Sequence, residues 1–192
     1  MPNKVKYGLQ SAYYAVATFG TDGTVSYGTP VALPGSVSLS LDPQGDSNTF
    51  RADNIDYFTS QSNNGFQGDY ELALLPDQFR KDIYGDVTDQ NGLLIEVVQP
   101  APVHFAFLFQ VEGDANATRH VLYDCTASRP SVSGETTGDI IEPQTETITI
   151  TAHPIKFATL AQPVSKAKVG PDSATPYGAW FTTVQTPAAP AT

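Results

Sequence analysis

The most regular hydrophobic pattern in the chain begins at Gly68. Apolar residues then occupy every second position, at Tyr70, Leu72 and Leu74. This alternation is typical of a β-strand that buries one face. Residues 68–74 are therefore predicted to form a strand whose apolar side faces a core.

The period of the pattern then changes from two residues to four. Apolar residues recur at Leu75, Phe79 and Ile83, and side chains at this spacing lie on one side of an α-helix. Pro76 suits the first turn of a helix, and Gly85 suits the position just after its end. We therefore expect a short helix in which Leu75, Phe79 and Ile83 pack on the core.

Further apolar runs bounded by turn residues predict additional strands. The run at 103–111 contains three Phe and suits a strand buried on both faces. Long polar loops are expected at 42–48, 60–66 and 127–144. The other predicted strands are 12–19, 24–27, 37–41, 48–53, 56–60, 93–98, 118–126 and 145–151, with a last strand or docking arm at 177–184.

Composition supports a β-rich chain, since 15 Gly and 15 Pro among 192 residues favour many short strands joined by turns. The net charge of −10 argues against direct binding to nucleic-acid phosphates or anionic membranes. Residues 82–118 and 131–153 carry carboxylates but no Lys or Arg. These segments are either ordinary solubilising surface or a deliberately negative face.

The residues that usually carry chemistry are scattered. Cys125 is the only cysteine, so an intrachain disulfide and a CxxC metal site are excluded, and a small buried hydrophobe is expected there. His104, His120 and His153 lack metal-ligand spacing and read as ordinary strand residues. No HExxH, phosphate-binding or nucleophile-elbow motif is present.

Weaker chemical interpretations remain open. Asp42, Asp46 and Asp53 could hold Ca²⁺ in a loop, but no EF-hand pattern supports this. The aromatic residues could line a sugar-binding groove, although at alternate strand positions they more often fill cores or cover subunit contacts. The sequence therefore predicts neither an enzyme nor a metal or cofactor site. It also lacks a signal sequence and a membrane-spanning run, so synthesis in the cytoplasm is expected.

Two segments resemble the phi13-type major tail proteins of long-tailed (siphovirus) phages. The opening from Lys4 to Ala15 is similar to the start of that family, and Tyr70 to Gly85 is similar to its most recognisable segment. Asp89 to Glu96 and the Phe-rich run after it follow in the same order. The resemblance covers residues 3 to 160.

The resemblance implies a mainly β fold of two packed antiparallel sheets in a sandwich, with one short flanking helix and long loops. The tail-tube domain would span residues 1–162, and 163–192 would form a C-terminal arm that is partly disordered. Such proteins form hexameric rings, stacked into a hollow tube in which the inner sheets join as one barrel. A tape-measure protein, a tail terminator and distal tail proteins are the implied partners, and the implied location is the tail of a virion made in the host bacterial cytoplasm.

Passage of the genome through such a tube suggests a lumen that repels DNA. A carboxylate lining would let DNA slide without sticking. The long polar loops are candidates for contacts between rings. The alternatives are a β-sandwich module that binds carbohydrate or a receptor at a virion surface, and an acidic hydrolase with a carboxylate pair. The candidate lumen acids are Asp86, Asp89, Glu96, Glu112, Asp114, Glu135 and Asp139.

Overall fold

The computed structural model describes residues 8–21, 23–98, 100–111, 117–134, 136 and 143–190, and it shows a mainly β fold. The strands are β1 (Leu9–Phe19), β2 (Val25–Tyr27), β3 (Val31–Ala32), β4 (Ser36–Gln44), β5 (Ser47–Ala52), β6 (Ile55–Gln61), β7 (Gly65–Leu72), β8 (Val87–Thr88), β9 (Leu94–Ile95), β10 (Phe105–Val111), β11 (Arg119–Ala127), β12 (Glu146–Ala152) and β13 (Lys166–Val169). The helices are α1 (Asp77–Tyr84) and α2 (Ala174–Gly178).

One antiparallel sheet runs through most of these strands, in the order β2-β1-β10-β11-β12-β7-β4, with β3 added beside β1 and β13 beside β11. In a flat sheet β10 and β7 would lie three strand spacings apart, about 14 Å. The rings of Tyr70 on β7 and Phe107 on β10 are instead 5.2 Å apart. The sheet therefore folds over into two packed antiparallel layers without closing a barrel.

The first core fills the space between these layers. Its residues come from β1, β7, β10, β11, β12 and α1. Leu75, Phe79 and Ile83 are all buried there, with exposures of 2%, 0% and 4%. Phe79 meets the edges of Tyr14 and Phe105 at centroid distances of 4.9 and 5.7 Å. The apolar side of the helix, which the four-residue spacing defines, therefore packs against the first core.

The residues that flank α1 explain where the helix begins and where it ends. Pro76 occupies the N-cap, in extended conformation, rather than the first turn. Gly85 has a φ of 70°, in the left-handed region that favours glycine, and its N–H bonds the carbonyl of Arg80. The chain leaves the helix there and enters β8.

A second core covers the other face of β1, β10 and β11. Ala106 and Leu108 on β10 point into it, opposite the three Phe of the same strand. Trp180 and Val184 of the C-terminal segment close it, with exposures of 3% and 7%. Strand β10 is thus buried on both faces, as the apolar run predicts.

The C-terminal segment packs on the rest of the chain. Of the two alternatives for 177–184, the strand is wrong, because α2 ends at Gly178 and turns follow it, whereas Trp180 and Val184 do dock on the second core. Strand β13 pairs with β11 along Arg119–Leu122, and the domain boundary at residue 162 stays a prediction. Residues 164–184 therefore contribute to the core of the same unit.

Three local predictions also differ from the structure. Leu74 is 70% exposed because β7 ends at Leu72 and the chain turns toward α1. Residues 42–44 continue β4 instead of forming a loop. The strand expected at 93–98 is a two-residue strand, β9, paired with β8. For residues 42–44, pairing with β7 overrides the local turn signal.

Candidate assembly surfaces

Asp86, a predicted lumen acid, is buried. Its side chain is 4% exposed, and its Oδ1 accepts a hydrogen bond of 2.8 Å from Nη2 of Arg129. Arg129 also donates to the carbonyls of Tyr84 and Val97. The hydrogen bond to Asp86 raises the pKa of the Arg129 guanidinium above its ordinary value. Asp86 is therefore a structural partner that ties the end of α1 to the coil after β11.

Of the other six predicted lumen acids, two lie in the described part of the chain and four lie outside it. Asp89 caps its own turn by accepting from the N–H groups of Asn91 and Leu93, and these bonds, that from Leu93 first, lower its pKa. Glu96 is 65% exposed and lies 3.4 Å from Nε of Arg129. Glu112, Asp114, Glu135 and Asp139 lie outside the described residues.

The structure brings together a different set of polar residues on the outward face of β4, β7 and β12. Strand register aligns them in three rows, at right angles to the strands. Three carry carboxylates, five carry hydroxyls, one carries an amide, and none is a cation. We call this surface the polar face. Its rows are Ser38, Glu71 and Thr147; Ser40, Asp69 and Thr149; and Asp42, Gln67 and Thr151.

Hydroxyl groups hold the carboxylates of the polar face in place. Glu71 accepts from Thr145 at 2.6 Å and from Ser38 at 2.8 Å, and Asp69 accepts from Thr149 at 2.8 Å. The bonds from Thr145 and then Ser38 lower the pKa of Glu71. Since neutral donors carry no compensating charge, these hydrogen bonds do not neutralise the carboxylates on this face.

The polar face could not be read directly from the sequence. Asp69 and Glu71 occupy the polar positions of an alternating strand, which usually mark solvent. Their partners on β4 and β12 lie about 30 and 75 residues away along the chain. Only the strand register places these side chains beside one another.

Strand β4 ends the sheet path, so its outer edge is unpaired in the described part of the chain. It is nine residues long and carries one charged residue, Asp42. A long edge with few charges is a template for pairing with another strand. Strand β13, at another sheet edge, instead exposes Lys166 and Lys168, which discourage such pairing.

Beyond β4 and β7 the chain forms a two-stranded hairpin, β5–β6. Its Ile55, Tyr57 and Phe58 are exposed at 61%, 72% and 62%. The register places Ile55 opposite Ala52 and Phe58 opposite Phe50, two positions apart on β5, with Tyr57 at a β-bulge between them. Ile55 and Phe58 therefore emerge from the same face of the hairpin.

A second small ribbon, β8–β9, also exposes apolar residues. Val87 pairs directly with Ile95, which places both on one face. The N–H of Asp89 bonds the carbonyl of Leu93, so the ladder continues and Leu93 shares that face. Val87, Leu93 and Ile95 are exposed at 51%, 61% and 45%. We call these three side chains the ribbon patch.

The histidines and the cysteine form no centre for catalysis or metal binding that the described residues reveal. His104 Nδ1 lies 2.5 Å from Asp124, and His153 Nε2 lies 3.2 Å from the Thr126 hydroxyl. Within the described ranges, no group of three or more His, Cys, Asp or Glu could hold a metal ion. Cys125 is buried, which raises the pKa of its thiol well above the ordinary value.

Neither helix in the described part of the chain has the length and apolar character needed to cross a lipid bilayer. The Ca²⁺ interpretation gains no support, because Asp42 lies on β4 and Asp53 lies in the turn of the β5–β6 hairpin. The surfaces that could bind other protein chains are the edge of β4, the polar face, the β5–β6 hairpin and the ribbon patch.

Comparison with known proteins gives a likeness at the level of fold. No family model matches the chain, and no curated protein gives a significant match. Among solved structures, a chain in the cryo-EM structure of the anti-feeding prophage baseplate, six-fold symmetrised, is similar with a TM-score of 0.50 and 8% identity. The match covers 88% of this chain and 97% of that chain.

Proposed function

We propose that this chain is a virion structural protein, the major tail tube subunit of a long-tailed phage, whose copies form hexameric rings stacked into a tube. The observation that carries the proposal is the unpaired edge of β4 beside the polar face. The fold likeness to a chain of a prophage baseplate structure supports it. So does the sequence resemblance of residues 70–85 to major tail proteins.

Lateral contact between copies would use the edge of β4. Pairing with a strand of the next copy would satisfy the free N–H and C=O groups of β4. Repeated around a ring, this pairing joins the sheets of all copies into one barrel, which removes the exposed edges. The polar face, on the sheet that ends in β4, would then line the barrel.

The chemistry of the polar face suits passage of DNA. Carboxylates of Asp42, Asp69 and Glu71 would repel phosphates, so DNA would slide through without binding. Loops at the ends of strands would contribute less than this continuous surface. We therefore propose acids on β4 and β7 for the lumen, while the acids predicted from the sequence stay a prediction, apart from Asp86, whose side chain is buried.

A tube subunit needs no catalytic group, and we propose that the protein is not an enzyme and uses no cofactor. Its proposed partners are further copies of itself, a tape-measure protein inside the tube, and a tail terminator and distal tail proteins at its ends. The proposed location is the virion tail.

Electron microscopy tests the proposal. Concentrated protein in negative stain should show rings or tubes, and sedimentation velocity should show the corresponding large species. Val37→Lys, which places a charge on the edge strand where Val37 is 50% exposed, should reduce assembly. Ala161→Lys, at an exposed bend far along the chain, is the matched control and should assemble normally. Protein that stays monomeric at high concentration, or V37K that assembles like A161K, would overturn the proposal.

A further inference from the structure

We propose that the β5–β6 hairpin of one copy docks on the ribbon patch of a second copy. The inference rests on the proposed function, since it names the surfaces through which copies meet besides the edge of β4. Each surface exposes three large apolar side chains within the described ranges. Large exposed apolar patches on a folded protein mark binding sites for other chains.

The hairpin extends away from the body of its own copy. Gln44 pairs with Gly65 at its root, and Ser47 pairs with Gln61 just beyond, so β5 and β6 continue the β4–β7 pair. Ser62 and Asp46 hydrogen-bond each other across the junction. The tip, at Asp53 and Asn54, is about seven residues further, roughly 20 Å beyond the root.

The ribbon patch is rigidly supported. Arg129 contacts both sides of its base, at Asp86 and Glu96. The carboxylate of Asp89 fixes the turn by accepting from two backbone N–H groups. Little conformational freedom remains to be lost when a partner docks, which favours binding.

The two surfaces occupy different places in the fold. The hairpin leaves the sheet at the Gly65 end of β7, whereas the ribbon follows α1, which begins after the Leu72 end. Contact between unlike surfaces of identical chains is heterologous, and it repeats from copy to copy to give a ring or a filament. A second copy of this chain is therefore an occupant that suits both surfaces at once.

The size of the surfaces fits a specific contact. The exposed fractions of the three hairpin side chains correspond to on the order of 400 Å² of apolar surface, and the ribbon patch adds roughly 300 Å². Together they supply most of the apolar share of a standard interface, in which somewhat over half of about 1,600 Å² is apolar.

Charge around the two surfaces predicts how the contact responds to salt. Asp56 on the hairpin pairs with Arg51, and Glu96 beside the ribbon patch pairs with Arg129. Asp53 at the hairpin tip and Asp89 beside the ribbon patch have no ion pair among the described residues. Like charges repel across the contact, and salt screens that repulsion. Association should therefore strengthen as ionic strength rises, opposite to an interface held by ion pairs.

The test uses two complementary variants of the full chain, Tyr57→Thr/Phe58→Thr in the hairpin and Leu93→Thr/Ile95→Thr in the ribbon. Threonine keeps strand propensity, and all four side chains are exposed, so both variants should fold with unchanged circular dichroism and melting. Each alone should need a protein concentration about tenfold higher or more to assemble. Val31→Thr, on β3, is the matched control and should behave as the wild type.

Mixing the two variants gives the decisive result. A copy with only an intact ribbon patch can bind a copy with only an intact hairpin, once, after which both ends are blocked. The mixture should therefore contain a species of twice the mass of either variant alone, measured by sedimentation velocity. Hairpin variants that assemble normally, or a mixture that stays as small as its components, would overturn the inference.

Failure of the proposed function would look different. In that case wild-type protein forms head-to-tail oligomers in salt, with complementation in the mixture, yet gives no rings or tubes by electron microscopy. That result would support the hairpin–ribbon contact and contradict the tube. Tubes that form unchanged in Y57T/F58T would support the tube and contradict the hairpin–ribbon contact.

Discussion

Replacing Arg129 by methionine tests whether Asp86 is a structural acid or a lumen acid. Arg129 supplies the cation beside a carboxylate that is 4% exposed, at 2.8 Å. It also donates to the carbonyl of Tyr84 at 3.0 Å, and its guanidinium lies 4.8 Å from the Tyr84 ring. Methionine fills much of the same space but leaves the buried carboxylate without a counter-charge.

The expected cost follows from the burial of Asp86. Removing one partner of a buried ion pair typically destabilises a protein by about 3–5 kcal/mol. The lower end applies, because the Arg129 side chain is 27% exposed and water can reach part of the site. About 3 kcal/mol corresponds to a fall in Tm of roughly 10 °C for a domain of this size.

Urea unfolding followed by tryptophan fluorescence measures this cost. Trp180 is the only tryptophan and is 3% exposed, so its emission reports loss of the core. The double variant Asp86→Asn/Arg129→Met removes the unpaired charge and should recover much of the loss. Arg51→Met is the matched control, since the Arg51–Asp56 pair is 69% and 63% exposed and should contribute less than about 1 kcal/mol. A loss below about 1 kcal/mol in R129M would refute the structural role of the pair.

Three further predictions concern the core and the polar face. Phe79→Ala should destabilise the protein by about 3–5 kcal/mol in urea unfolding, because Phe79 is fully buried between the layers, whereas Leu74→Ala, at a 70% exposed site, should cost little. Gly68→Ala should lower the Tm and abolish assembly in negative stain, since a Cβ at Gly68 would overlap the Ser40 carbonyl and force β4 away from β7; unchanged tubes would contradict the role of β4. Asp69→Lys/Glu71→Lys should leave tubes intact but make them retain DNA at low salt and release it at high salt, as measured by co-sedimentation; tubes that ignore DNA at every salt concentration would argue against a polar face in the lumen.

Sequence pattern predicted the parts of the fold that depend on local period. The spacing of Leu75, Phe79 and Ile83 identifies the buried side of α1, because three side chains on one helix face need a common core. The apolar run at 103–111 identifies β10 as buried on both faces. A strand buried on both faces also needs a layer of packed residues on each face. Trp180 and Val184 provide the second cover, in a segment whose own pattern is too irregular to reveal it.

The polar face could not be predicted in the same way, because its members are brought together only by register. A slip of one residue between β4 and β7 would turn Asp69 and Glu71 toward the core. The segments predicted to be negative are defined by the absence of Lys and Arg along the chain. A carboxylate is neutralised by the cations that lie near it in the folded protein, whatever their position in the sequence. Arg129, for example, bonds Asp86 although the two are 43 residues apart along the chain.

This distinction decides which acids could act on a passing polyanion. Asp86 and Glu96 share Arg129, and Glu146 pairs with Arg80 at 2.8 Å, so their fields are largely cancelled at close range. Asp69 and Glu71 receive hydrogen bonds from neutral hydroxyls, and the described residues show no ion pair to either. Their charges also stand in consecutive rows of one sheet, so copies joined through β4 would repeat them around a closed surface. In the proposed tube, repulsion of DNA would therefore arise from strand pairing, because the pairing that would close the barrel would also align its charges.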